Sequence, residues 1–235
     1  MRLVESVRSR SAEPDQKAIQ ALAERWTLTV LTSKEWFKNT WLGFPIMQLP
    51  NDLFLMQELI VRTKPQVIIE TGTFGGGTAI FYTSMLNLIG GGRVISVDAI
   101  ERELVARKIR EHPLGKDVVL VIGDSVAPET LAKLRHELAG ETRILVALDS
   151  GHGYEHVLAE LRAYHQFVPV GGYLVVFDTI TEALSRLPGH EAWRRDNPKR
   201  AVRAFLREHP EFDVDTSCDR LLESFCPGGF LKRVR

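Results

Sequence analysis

Five short apolar runs rich in β-branched residues, separated by intervals long enough for a helix, constrain this chain more than any other feature. They are Gln66 to Glu70, Arg93 to Asp98, Val118 to Ile122, Ile144 to Asp149 and Tyr173 to Asp178, the last after a Gly171-Gly172 turn. Runs that stay apolar without alternating fit strands covered on both faces, the condition of a parallel sheet. The intervals supply covering helices at Thr78 to Leu88, Glu101 to Glu111, Pro128 to Leu138 and Tyr154 to Phe167. In the last, Val157, Leu158, Leu161 and Tyr164 recur at helical spacing beside Glu155, Glu160 and Arg162, as on a helix laid on a sheet. The alternation predicts an α/β fold with a Rossmann-like, doubly wound sheet.

Beyond Asp178 the pattern changes to a polar stretch, Thr179 to Asn197, and then a helix from Pro198 to Glu208 with proline in its first turn. Two closing strands, Phe212 to Thr216 and Phe230 to Val234, flank a turn containing Pro227-Gly228-Gly229 and predict a C-terminal antiparallel hairpin at the sheet edge. Ahead of the sheet, Lys17 to Trp26 and Asp52 to Val61 read as helices flanking Trp36 and Trp41, aromatic residues expected to pack. The expected division is a helical arm and substrate cover over residues 1–64 and a sheet domain over 65–235.

Charge narrows the partners. Thirty Lys and Arg balance thirty Asp and Glu among 235 residues, so no global positive field exists to hold nucleic acid or an anionic membrane. The start, MRLVESVRSRSAEPDQKAIQ, lacks the apolar stretch of a signal peptide, and no apolar run approaches a bilayer span, so a soluble, cytoplasmic protein is expected. Cys218 and Cys226 are too few for a disulfide framework and lack zinc-site spacing, which leaves buried free thiols.

The first strand runs into Glu70-Thr-Gly72-Thr73-Phe74-Gly75-Gly76-Gly77-Thr78, a glycine-rich turn opening a helix, where backbone can approach a ligand and helix N–H groups are unpaired. A phosphate-gripping loop would need lysine where Thr78 stands, and a dinucleotide fingerprint would need another glycine spacing and no repelling Glu70. An acid just before the first glycine suits a cationic ligand, and S-adenosylmethionine carries an ammonium and a sulfonium. Glu70, Gly72, Thr73, Phe74, Gly75 and Gly76 are therefore candidate cofactor contacts.

Acids close the other strands. Asp98, one βαβ step on, can accept ribose hydroxyls or cap the next helix. Asp124 and Ser125, in Gly123-Asp124-Ser125, can hold adenine or cap a helix equally well. Asp149 and Asp178 both point to the carboxyl edge, where open α/β sheets bind ligands and where such acids can hold a divalent cation. His152, in Asp149-Ser-Gly-His152, has the chemistry of a general base near neutral pH, though a capping or solvent role is the plainer alternative.

The chain resembles the cephalosporin hydroxylase family of S-adenosylmethionine-dependent O-methyltransferases, which includes rhamnosyl O-methyltransferases. The resemblance runs from about Trp41 to the end. Its carriers are Trp41-Leu-Gly-Phe-Pro with Asn51-Asp-Leu, Ile68-Ile-Glu-Thr-Gly-Thr-Phe-Gly-Gly-Gly, Leu148-Asp-Ser-Gly-His, Gly171-Gly-Tyr-Leu-Val-Val-Phe-Asp-Thr and Pro227-Gly-Gly-Phe-Leu-Lys-Arg. It implies cofactor contacts from Glu70, Gly72, Asp98 and Asp124, a homo-oligomer, a small hydroxylated substrate (a sugar or natural product), and an acidic Mg²⁺ cluster of Asp149 with the acids ending the fifth strand. There the family shows Glu-Asp and this chain has Phe177-Asp178, so one expected ligand is apolar. The expectation is that His152 and Asp149 form the catalytic pair and that a metal on Asp149 and Asp178 assists.

Two rival readings remain in the sequence. A GDS-type esterase would use Ser125 with the Asp149-x-x-His152 pair, although these motifs sit mid-chain on successive strands. A non-catalytic methyltransferase-like scaffold would retain the cofactor without turnover. Hydroxylation itself would need two histidines and a carboxylate; the only His-x-Glu is His209-Pro-Glu211, and no histidine follows it.

Overall fold

The computed structural model describes residues 15–235; the opening stretch that bears on a signal peptide, residues 1–14, lies outside them. The described chain opens with helix α1 (Gln16–Ser33), a two-residue pair β1 (Thr40–Trp41) and β2 (Phe44–Pro45), and helix α2 (Pro50–Thr63). The alternating region follows as β3 (Val67–Thr71), α3 (Gly77–Leu88), β4 (Arg93–Asp98), α4 (Glu103–Glu111), β5 (Val118–Ile122), α5 (Pro128–Glu137), β6 (Ile144–Leu148), α6 (Tyr154–Tyr164) and β7 (Tyr173–Val176). Helices α7 (Thr181–Leu184) and α8 (Pro198–Glu208) and strands β8 (Phe212–Val214) and β9 (Phe230–Arg233) complete it.

Seven strands form one sheet in the order β5-β4-β3-β6-β7-β9-β8. The first five are parallel, while β9 runs antiparallel to both β7 and β8, as the closing hairpin requires. The chain runs outward from β3 to β5 and crosses back to β6, so β3 and β6 are neighbours at the switch point. Every residue of these two strands is buried, which is why they read as uninterrupted apolar runs. Alternate residues serve two cores: Val67, Ile69, Val146 and Leu148 face α6 and α8, while Ile68, Leu145 and Ala147 face α2 and α3.

Helix α3 is apolar nearly all round because it lies between the sheet and the β1–β2 hairpin. Trp41 sits edge-on to Phe81 with centroids 4.9 Å apart, and its Nε1–H donates to Ser84 Oγ at 3.1 Å. The aromatic residues ahead of the sheet thus pack as expected. Helix α1 runs about two turns beyond the expected Trp26, and the polar stretch after Asp178 contains the short α7 and a 3-10 segment at Glu191–Arg194. β7 ends at Val176 rather than Asp178, with Asp178 at φ 56.

Asp52, in the first turn of α2, is completely buried, accepting from Ser224 Oγ at 2.5 Å and from the Phe225 N–H at 2.8 Å. Burial pushes its carboxyl from 3.8 to about 7 despite both bonds. A carboxyl raised in the folded state keeps a proton that the unfolded chain has lost. Its contribution is therefore full below about pH 4 and declines as pH rises through 7, by on the order of 4 kcal/mol. Urea midpoints should fall between pH 5 and pH 8 in the wild type and fall less in Asp52→Asn; parallel falls would mean that Asp52 does not titrate.

Candidate active site

The glycine turn is shaped first by protein, not by ligand. Gly72 has φ +91, and a Cβ there would lie 2.2 Å from the Asp149 carbonyl oxygen on the neighbouring strand end. A Cβ on Gly75 would meet Pro45 Cβ at 2.9 Å, and one on Gly77 would meet Pro45 O at 2.2 Å. The glycines thus let β6 and the segment after β2 close onto the loop. Gly76, at φ 78, is the N-cap of α3 and supplies no side-chain cap, so the helix's first N–H groups have no partner there.

At the carboxyl edge beside this loop lies a cavity of about 490 Å³. It brings together Gly72, Thr73, Phe74, Gly75, Asp98, Asp124, Ser125, Asp149, His152 and Asp178 from the sequence expectations. Its charge is lopsided, with four aspartates against Arg102. Such a wall favours a cationic ligand and opposes a phosphate. Among the expected contacts, Glu70 and Gly76 are not on the wall.

Glu70 is turned inward. The register sets it opposite Ser96, whose hydroxyl donates to Glu70 Oε2 at 2.7 Å and shares a 2.7 Å bond with Thr73 Oγ1. Burial pushes its carboxyl up to about 7, the bonds from Thr78 and Ser96 opposing the rise. Off the cavity wall, Glu70 braces the loop through Ser96 and Thr73. Gly76 backs onto Ile109, whose Cδ1 would lie 2.9 Å from an added Cβ.

Asp98 Oδ2 accepts from the Phe74 N–H at 3.1 Å and from Arg102 Nη1 at 2.9 Å, while Oδ1 accepts from the Ile100 N–H at 2.9 Å. Three of about four lone-pair directions are thus taken, and the fourth is free for a hydroxyl. Arg102 also lies over the Phe74 ring, 5.4 Å from its centroid. Asp124 caps its own turn, accepting from the Val126 N–H at 3.1 Å, and Ser125 is buried beside it.

Ser125 has a histidine neighbour, but it is His156 and not His152. Ser125 Oγ lies 3.4 Å from His156 Nε2, Ser150 Oγ lies 3.0 Å from the same nitrogen, and Ser150 donates to the buried Glu160 at 2.7 Å. Glu160 approaches that nitrogen too, at 3.5 Å. An activated serine needs its acid on the opposite ring nitrogen, so the esterase arrangement is absent among the described residues.

In the second half of the site, His152 stands beside a different acid from the one expected to pair with it. His152 follows Asp149 by three residues, yet the loop carries its Nδ1 to 3.2 Å from Asp178 Oδ2 at the end of the adjacent β7. Asp149 Oδ2 instead accepts from Gln48 Nε2 at 2.8 Å, a residue between β2 and α2 that no motif marked. Burial, then the charges of Asp178 and Glu70, push the Asp149 carboxyl well above its ordinary range, and burial raises Asp178 against the pull of His152. Two carboxylates crowded in this way favour a proton or a cation between them.

The cluster fits a divalent ion. Ligand atoms of Asp149, His152 and Asp178 all lie within 4.8 Å of one another, and the buried Gln48 Oε1 beside them has no hydrogen-bond partner. Hard oxygen donors of this kind suit Mg²⁺, with His152 as the third protein group. Phe177 does not belong to the cluster: its ring is buried in the core with Ile180 and Phe230. Gln48, Arg102 and His156 line the cavity without having been marked in the sequence, and Trp36, expected to pack, lines it too.

An acid-lined cavity at the switch point of a seven-stranded sheet, closed by a glycine turn and an antiparallel last pair, defines an S-adenosylmethionine-dependent O-methyltransferase. The chain belongs to the rhamnosyl O-methyltransferase/CmcI family, whose model matches residues 33–234. A rhamnosyl O-methyltransferase of Mycobacterium leprae is 31% identical over 208 residues, covering 84% of each chain. The Mycobacterium tuberculosis protein of the same name is 30% identical and covers 98% of this chain and 93% of its own. Among solved structures, the Mg-SAM form of CmcI superposes with a TM-score of 0.62 at 15% identity over 86% of this chain and 78% of CmcI. An O-methyltransferase from Bacillus cereus in complex with SAH gives 0.53 at 17% identity, covering 90% and 88%. At these identities the two structures bear on the fold.

Proposed function

We propose that the chain methylates a hydroxyl of a sugar or glycosylated natural product, with His152 as general base and Asp178 as the group that orients it. The observation that carries this reading is the 3.2 Å contact of His152 with Asp178 on the wall of an acid-lined cavity. The relatives named rhamnosyl O-methyltransferase support the sugar, and the SAM and SAH of the structural neighbours support the cofactor.

When bound, S-adenosylmethionine supplies a methyl carbon made electrophilic by the sulfonium. The chain's residues divide the remaining work. Asp98 offers its free lone pair to a ribose hydroxyl, with half-exposed Arg102 as the donor able to yield a second. Gly72, Thr73, Phe74 and Gly75 present backbone to the ligand, and Asp124 and Ser125 bound the adenine side. The acid wall holds the cationic end, and its four aspartates favour a sulfonium over the neutral thioether left after transfer.

With Nδ1 held 3.2 Å from Asp178 Oδ2, His152 keeps Nε2 for the acceptor's proton. The proton must leave as the methyl arrives, because an unassisted alcohol is too weak an acid at neutral pH. Asp149 and Asp178 would hold a magnesium ion, which would lower the pKa of a hydroxyl. Gln48 fixes the rotamer of Asp149 in either case.

We infer further that the N-terminal helices cover the substrate and that the protein works in the cytoplasm as a homo-oligomer without nucleic-acid or membrane partners. No described helix is long and apolar enough to cross a membrane, and α1 leaves Leu22 and Trp26 exposed. Sedimentation velocity at micromolar concentration should give more than one copy; a monomer would count against it. The reaction itself is tested by incubating the protein with labelled S-adenosylmethionine and a panel of rhamnosylated and other glycosylated acceptors. A product heavier by one methylene is expected. Cofactor binding without turnover on any acceptor would return the scaffold reading.

A further inference from the structure

The His-x-Glu pair of the sequence, His209-Pro-Glu211, has no histidine after it, but the fold brings one from before it. His165 stands on the single turn that follows α6, and α6 packs along α8, so its ring meets the end of α8 with centroids of His165 and His209 4.1 Å apart. His209 Nδ1 lies 2.9 Å from Glu211 Oε1, and His165 Nδ1 lies 4.0 Å from the same oxygen. All three ligand atoms fall within 4.8 Å of one another.

We propose that His165, His209 and Glu211 form a structural site for zinc or a similar divalent transition ion, which clamps the end of α6 to the turn between α8 and β8. Tetrahedral zinc, with ligands at about 2.0–2.2 Å, spaces its donors roughly 3.3 Å apart, and the two measured separations straddle that value. Two imidazoles and a carboxylate suit zinc better than magnesium, and a water can take the fourth position.

The site is built rather than accidental. His165 Nδ1 is buried and has no hydrogen-bond partner. Both imidazoles are at least three-quarters buried, with His209 stacked on Phe205 at 4.4 Å. Burial, then the charge of His209, lowers the pKa of His165 and keeps it in the neutral form that binds metals. Arg233, the other cation bearing on His165, is occupied: its Nη1 donates to Val168 O at 2.7 Å and its Nε to Arg235 O at 3.2 Å. None of the three residues lines the catalytic cavity; they precede β7 and β8 at the amino edge of the sheet.

The test is a titration of chelator-stripped protein with zinc chloride by calorimetry, comparing wild type with His165→Gln, His209→Gln and Asp178→Asn. The zinc equivalent that Asp178→Asn retains should be present in the wild type and be lost in either histidine variant. At a hundredfold excess of ion over Kd the wild-type melting midpoint should rise by roughly 5–10 °C. Zinc binding retained in both histidine variants, or lost in Asp178→Asn alone, would overturn the proposal. The unaltered protein gives a second readout, since zinc should slow carbethoxylation of His165 and His209 at least about tenfold by peptide mass. Equal labelling with and without zinc would also overturn it.

Discussion

His152→Ala should lower turnover by about 10²–10⁴-fold while leaving S-adenosylmethionine affinity near that of the wild type. The acceptor's proton has to move to a base within reach, and His152 stands on the cavity wall with Nδ1 3.2 Å from a carboxylate that can orient it. Asp178→Asn should act in the same direction through another cause. An amide beside Nδ1 adds no charge to stabilise the imidazolium, so kcat should fall. EDTA should reduce turnover less than His152→Ala does. Full loss with EDTA beside a near-normal His152→Ala would transfer the chemistry to an ion on Asp149 and Asp178.

The largest effect on stability is expected from Gly72→Ala, a loss of about 3–5 kcal/mol that takes much of a typical domain's margin. Two penalties coincide at this position. The backbone sits at φ +91, and the new Cβ would fall 2.2 Å from a carbonyl oxygen that belongs to Asp149 and cannot swing aside. Gly90→Ala separates them, because Gly90 has φ +112 and nothing within 4 Å of an added Cβ. It should cost only about 1–2 kcal/mol in urea unfolding. Equal losses in the two variants would assign the whole effect to backbone conformation and none to the contact with Asp149.

Much of this fold was legible because parallel strands buried on both faces have an unmistakable composition. β4 and β5 begin and end where the apolar runs do, and α8 starts at Pro198 after Asn197, whose side chain accepts from the Arg200 N–H at 2.9 Å. The β1–β2 hairpin was invisible because two residues per strand carry no period. Helix α1 was cut short in the reading since Thr27-Leu-Thr-Val-Leu-Thr is rich in β-branched residues that argue against a helix.

The site divided along a similar line. Residues at strand ends could be found, since a strand's carboxyl end fixes where its next residue goes. Pairings between loops could not: nothing in the spacing of Asp149 and His152 reveals that the histidine turns toward the next strand. Gln48, Arg102 and His156 stand outside every motif and reach the cavity only through tertiary packing. That Glu70 turns inward could not be read from its strand, because its orientation depends on Ser96 in the adjacent strand.

Pro45 and Gln48 carry a lesson for anyone who would recombine members of this family. The stretch ahead of residue 65 looks like an interchangeable specificity module, yet Pro45 is wedged against Gly75 and Gly77 and Gln48 grips Asp149. A chimera joined at that boundary would import foreign residues into the cavity wall and against the glycine turn. A crossover after Gln48 instead leaves the loop with the partners it was shaped with.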